Sequence, residues 1–183
     1  MSVAILSIVL NEQEFLERSW LQHSNWPDLK RIVYCEFADR AFAEVNPGMV
    51  SKKGLSTDGT SEYLQQLARV DPRVMYIPLG FSGRPGRADG KVSGKNTALQ
   101  AIADDKPDFF VVLDQDEFYT KLDQQNINGL FQAFPTRGGF IIHKREIWRP
   151  PCWKDQPLLA HEVVGGFWQI PCCHLWRWKP GIR

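Results

Sequence analysis

Cysteine is scarce in this chain. Four occur in 183 residues, Cys172 and Cys173 are adjacent, and no pair has C-x-x-C spacing. That pattern argues against a zinc ribbon and against a regular disulfide framework, so reduced thiols in a cytoplasmic setting are the expectation. Charge of one sign is also missing. The formal net charge is +1, too small to attract nucleic acid or a membrane surface through a global field. No apolar run approaches the length of a bilayer span. The N-terminal run Val3 to Leu10 has no basic residue before it and no small-residue cleavage site after it, so it reads as a buried strand and not as a targeting segment. Internal repeats and low-complexity tracts are absent too.

What is present suits a single globular domain with a sizeable core. Apolar residues make up 43% of the chain and charged residues 23%. Seven tryptophans occur, and five of them (Trp148, Trp153, Trp168, Trp176, Trp178) follow residue 145, which sets the C-terminal region apart. Strands are predicted at about 3–9, 31–37, 73–77, 109–113 and 139–142. Helices are predicted between them. The first is capped by Asn11 with Glu14 at the reciprocal position, runs to about Ser24 and buries Phe15, Leu16 and Trp20. The second opens at Ser56 to Thr60 and carries Tyr63, Leu64 and Leu67. The third spans Lys91 to about Asp104 with Ala98, Leu99 and Ile102 inward. A short fourth is marked by Ile127, Leu130 and Phe131. A loop of roughly twenty residues containing Pro47, Gly48 and Gly54 separates the second strand from the second helix, an uncommon length for a loop without a task. A Gly-rich loop, Gly80 to Gly90, holds Arg84 and Arg87. The segment after residue 142 has no clear period.

Alternating strands and helices predict an α/β fold: a Rossmann-like, mostly parallel sheet flanked by helices. Right-handed crossovers then bring the loops after the strands to one edge. Asn11, Glu36, the long loop, the Gly-rich loop and the acidic run after Leu113 all belong to that edge. The acidic run is the most informative feature. Phe109-Phe110-Val111-Val112-Leu113 stops abruptly at Asp114-Gln115-Asp116-Glu117. An unbroken apolar run reads as a strand buried on both faces. Alternation points Asp114 and Asp116 the same way. Paired carboxylates at the carboxyl end of a buried strand occupy the place where open α/β sheets bind ligands, and hard oxygens suit Mn²⁺ or Mg²⁺.

An ordered set of segments resembles the family 2 glycosyltransferases of GT-A fold: Ser7 to Glu12 after the first strand, Tyr34-Cys35-Glu36 after the second, Leu55 to Thr60, Lys91 to Asn96, and Leu113 to Tyr119. The resemblance covers about residues 3 to 119. It implies one domain over 1–183, with 1–119 as the nucleotide-sugar-binding half and 120–183 as the acceptor side. The chain stops at Lys179 to Arg183 as an interrupted segment would, so part of the acceptor side is expected to lie beyond it.

The resemblance also implies roles. Asn11 and Glu12 would line the donor site. Glu36, or alternatively Asp39, would hydrogen-bond the nucleoside. Asp58 would cap its helix or reach the donor. Lys91, Lys95 and Asn96 would face phosphates or sugar, where a helix N-terminus favours anions. Asp116 would ligate the metal directly, with Asp114 on ribose or sugar hydroxyls or on the metal through water, and Glu117 orienting the acceptor or bracing the turn. A late histidine, His174 or else His143 or His161, would complete the metal set. Inversion needs a carboxylate base, and Glu162, Glu146 and Asp155 are candidates. The implied donor is a nucleotide-diphosphate sugar, with UDP-sugars first and GDP- and dTDP-sugars as alternatives; the acceptor is a glycan, lipid or protein. A zinc site from Cys152, Cys172, Cys173 and His174 has spacing unlike known ribbons, and the late tryptophans would stack on sugars or pack in the core. Two rivals remain: haloacid-dehalogenase-like phosphoryl transfer, with Asp114 as nucleophile, and a non-catalytic nucleotide- or glycan-binding domain.

Overall fold

The computed structural model describes residues 1–87, 89–115, 117 and 119–136, together with the backbone of two strands over 139–143 and 171–177. In chain order these form β1 (Val3–Val9), α1 (Gln13–His23), β2 (Leu29–Asp39), α2 (Arg40–Val45), a single 3-10 turn (Pro47–Met49), α3 (Thr60–Val70), β3 (Val74–Ser82), α4 (Gly90–Ala101), β4 (Phe109–Leu113), α5 (Lys121–Ala133), β5 (Gly139–His143) and β6 (Pro171–Arg177). The sheet order is β3-β2-β1-β4-β6-β5. The first four strands are mutually parallel, and β5 and β6 join antiparallel beyond β4. This is the Rossmann-like arrangement expected from the sequence, with an antiparallel extension that the sequence pattern does not announce.

The apolar runs are strands because both of their faces are covered. Val3, Ile5 and Val9 of β1, with Ile32, Tyr34, Phe109, Val111 and Leu113, pack against Leu16 of α1, Leu64 and Leu67 of α3, and Ile127 and Phe131 of α5. Ala4, Leu6, Val33, Cys35, Phe37 and Phe110 face the other way, toward Ala98, Leu99 and Ile102. Phe109 and Phe131 stack with ring centroids 4.4 Å apart, a contact worth about 0.5–1.5 kcal/mol beyond its buried area. On the α4 side the fit is tight at Gly94, where a Cβ would lie 2.0 Å from the Phe37 ring. Only a residue without a side chain lets this helix approach the sheet so closely.

Several expectations need correction. Asn11 does not cap α1: its φ is 54° and the N-cap is Glu12. Phe15 and Trp20 are half-buried, and the fully buried positions of α1 are Leu16, Ser19 and His23. Strand β2 runs on to Asp39, and the supposed structureless loop after it contains α2 and the 3-10 turn. Strand β3 continues through Pro78 to Ser82, so Gly80 lies in the strand and the Gly-rich loop begins at Gly83. A proline is tolerated there because β3 is an edge strand. Helix α5 is 13 residues long and leaves Leu130 exposed. Strand β6 lies in the segment without a readable period.

Topology fixes where a ligand would sit. The chain builds outward from β1 to β2 and β3, then returns to place β4 on the other side of β1. The order reverses between β1 and β4. In open α/β sheets the crevice outside the carboxyl ends of two such strands is the usual binding place.

Candidate functional site

The loops after β1, β2, β3 and β4 leave the same edge of the parallel sheet, and they divide into two kinds. After β1 and β2 the polar side chains are bound to one another's loops. The Asn11 amide donates to Met49 O (2.7 Å), its Oδ1 accepts from Thr57 N (2.9 Å), and its own N–H donates to Ser56 Oγ (2.9 Å). Glu12 N donates to Thr60 Oγ1 at 2.9 Å. Asp58 accepts from Gln13 N through one oxygen and from Thr60 N through the other, each at 3.0 Å, so one carboxylate caps the first turns of α1 and α3. Burial pushes the Asp58 pKa up, but the hydrogen bonds from Gln13 and Thr60 outweigh it and hold the carboxyl below its ordinary value.

Glu36 is fully buried. It accepts from Ser56 N (2.7 Å), from the Ser61 hydroxyl (2.8 and 2.9 Å to its two oxygens) and from the Tyr76 hydroxyl. Burial, then the bond to Glu36, raises the Tyr76 pKa well above its ordinary value. Asp39, the alternative to Glu36, accepts from Ala41 N at 2.9 Å and from Gly90 N at 2.7 Å, tying α2 to the start of α4.

The other kind of residue projects into solvent. Asp114 directly follows β4, is exposed, and its carboxylate makes no hydrogen bond among the described residues. Its carbonyl accepts from Glu117 N at 3.1 Å, closing a four-residue turn. Glu117 is half-buried, and Asp116 lies outside the described residues. Lys91, Lys95 and Asn96 are exposed on the first two turns of α4. Asn96 also lines a cleft of about 670 Å³ with Gly83, Arg84, Asp89, Thr97 and Gln100. This cleft flanks α4 and is not the crevice between β1 and β4, so its size alone does not mark it as the reactive centre. Arg84 and Asp89 pair across the loop there (2.7 Å).

His174 belongs to β6, and only its backbone is described. Leu175 pairs with both Val111 and Phe140, while Cys173 pairs with Ile141, so His174 is the extra residue of a bulge. One residue beyond the Val111 pair, it stands at the end of β4 that leads to Asp114. Bulges often re-aim side chains near active sites. The candidates His161, Glu146, Asp155, Glu162 and Cys152 lie outside the described residues, and of His143 only the strand backbone is described. Among the described residues, no group of three or more His, Cys, Asp or Glu is placed to hold a metal, and no helix is long and apolar enough to cross a membrane.

Sequence reasoning missed Gln115 and Ser7. Gln115 is buried between two acidic neighbours and donates through Nε2 to Ser7 Oγ, which donates to Leu113 O at 2.6 Å. A signal was available, since alternation that turns Asp114 outward turns the next residue inward.

No family model matches the chain, and no curated protein matches it. Among solved structures it is similar to a mannosyltransferase from Pyrobaculum calidifontis in complex with GDP-Man and Mn²⁺. That likeness has a TM-score of 0.50 and 21% identity, over 78% of this chain and 35% of the other. Residues 1–349 of TarS from S. aureus align with a TM-score of 0.47 and 14% identity, over 74% and 33%. The chain therefore spans about a third of the length of either structure. The first likeness is one of fold: the Rossmann-like α/β sheet of this protein is one also used by a glycosyltransferase.

Proposed function

We propose that this chain is the nucleotide-sugar-binding part of a metal-dependent, inverting glycosyltransferase of the family 2 type. The observation that carries the reading is Asp114: an exposed carboxylate, unengaged among the described residues, at the carboxyl end of β4 where the strand order reverses.

A divalent ion fits this donor chemistry. Mg²⁺, and Mn²⁺ by similar preference for oxygen, is commonly held by one or two carboxylates together with substrate phosphates and water, so a closed three-ligand cage is not required. Asp114 and Asp116 would hold it, with His174 as the further ligand. When bound, the ion supplies Lewis-acid neutralisation of the departing diphosphate. By the sequence resemblance Asn11 and Glu12 would line the donor site, and Lys91, Lys95 and Asn96 would meet phosphate or sugar from α4. Glu117 orients the acceptor. Glu36 and Asp58 serve this site indirectly by fixing the loop over residues 55–61, because their oxygens are already engaged by backbone and hydroxyl donors.

UDP is the first base to test on the sequence resemblance. GDP is the second, because the mannosyltransferase of similar fold holds GDP-Man. The test is thermal unfolding with UDP, GDP, dTDP and CDP, each with and without Mn²⁺. A ligand at 100 times its Kd stabilises the native state by about 2.7 kcal/mol. A midpoint that rises with one nucleotide, and rises further when Mn²⁺ is present, is the expected result. No rise with any of the four overturns the reading.

A further inference from the structure

We infer that Gln115 is a positioning residue that sets the direction of Asp114 at the metal-binding turn, acting from beneath the sheet edge. The inference rests on the transferase reading above. Ser7 and Leu113 are paired residues on β1 and β4, at the point where the strand order reverses. The Ser7 hydroxyl donates its single proton to Leu113 O at 2.6 Å. Its remaining capacity toward Gln115 is therefore that of an acceptor. This fixes the orientation of the Gln115 amide, with Nε2 toward Ser7. The flipped amide would set two acceptors against each other.

The turn that starts at Asp114 is thereby held at two points. Outside, Asp114 O accepts from Glu117 N. Inside, the side chain at the second position of the turn is bound to β1. With Gln115 only 1% exposed and Asp114 exposed, the two neighbours are held to opposite sides.

The arrangement has a cost that a purely structural residue would avoid. Gln115 Oε1 is buried and has no partner among the described residues. An apolar side chain of similar volume would fill the site without an orphaned acceptor. An amide retained at the expense of stability, directly beside an open carboxylate at the reversal point, is what a positioning role requires. Groups that orient metal ligands typically alter metal affinity by about 10- to 100-fold when removed.

The experiment is calorimetric titration of the full chain with UDP and with GDP, with and without Mn²⁺, alongside thermal unfolding. In Gln115→Met the Mn²⁺-dependent affinity is expected to fall by about tenfold or more. Metal-free nucleotide affinity should be unchanged, and the unfolding midpoint unchanged or higher, since the orphaned acceptor is gone. In an Asp114→Asn background, Gln115→Met should cause no further loss, as expected for residues acting through one another. Gln115→Asn keeps the amide but is one methylene too short to reach Ser7. It carries the same expectation for Mn²⁺-dependent affinity and replaces the methionine variant if that one does not fold. Equal Mn²⁺-dependent affinity in wild type and variant overturns the inference alone, and so does a parallel loss of metal-free affinity. A wild type with no Mn²⁺-dependent binding overturns the transferase reading and this inference with it.

Discussion

The edge of the sheet carries two populations of carboxylate. In β2 and the loop that follows it, Glu36, Asp39 and Asp58 are consumed by the fold: each accepts from at least two donors of the surrounding segments. After β4, Asp114 stands exposed with its side-chain oxygens unengaged among the described residues. The same residue chemistry thus stands in two settings. A carboxylate ringed by N–H and O–H donors is a structural node whose loss leaves those donors unpaired. A carboxylate in solvent beside a strand end is available to a cation and costs the fold little to keep. Residue type alone does not separate the two; the number of donors already in place does.

Glu36 gives the largest contrast. Glu36→Ala strands Ser56 N, the Ser61 hydroxyl and the Tyr76 hydroxyl around a cavity. Each unsatisfied buried donor costs about 1–3 kcal/mol. A loss of about 3–5 kcal/mol is expected in urea unfolding, with the loop over residues 55–61 loosened. A near-neutral result would show that Glu36 is not a node and would return it to the ligand site.

Acid sharpens the comparison, provided one confounding group is removed. His23 is buried, bonded through Nδ1 to Ser19 Oγ at 3.0 Å, and burial lowers its pKa from 6.5 to about 4. In the unfolded chain it takes up a proton near pH 6.5, whereas the folded chain resists until about pH 4. Stability from this group is therefore complete above pH 6.5 and falls between 6.5 and 4, by about 3 kcal/mol at 1.36 kcal/mol per pKa unit. The tied carboxyls act lower. Asp71 beside Arg73, Asp105 beside Arg31, and Asp58 with its two helix caps are all held below the ordinary 3.8. Their contribution is present above that value and is lost as pH falls through the folded pKa. In His23→Phe the decline between pH 6.5 and 4 should flatten, leaving the drop below 3.8 as the signature of the tied carboxyls. An unchanged profile in the variant would remove His23 as the cause.

Legibility in the sequence followed the range of the interactions. Strand β1 and the run ending at Leu113 were readable because unbroken apolar runs report burial on two faces without knowledge of the partner. The faces of α3 and α4 were readable because helical spacing is local. Asn11 was misread as a cap because the donors and acceptors it meets lie 38 to 46 residues away. The α1 cap comes from Asp58, equally remote. Strand β6 was hidden because Pro171 to Arg177 shows neither alternation nor a clean apolar run, and its position is set by pairing with β4 and β5. At the site, the acidic run was plain, but Gln115 between its two Asp residues passed as filler because its partner Ser7 is 108 residues distant.

The smallest expected effect on stability falls on the residue proposed to hold the cation. Asp114→Ala removes a solvent-exposed side chain with no hydrogen bond among the described residues, so unfolding should shift by no more than about 0.5 kcal/mol. If this carboxylate helps hold the cation, the Mn²⁺-dependent rise in midpoint with nucleotide should disappear in the same variant. Loss of stability without loss of binding would place Asp114 with the tied carboxylates of β2 and the loop that follows it. Loss of binding at constant stability would set it apart from Glu36 in function as clearly as exposure sets it apart in structure.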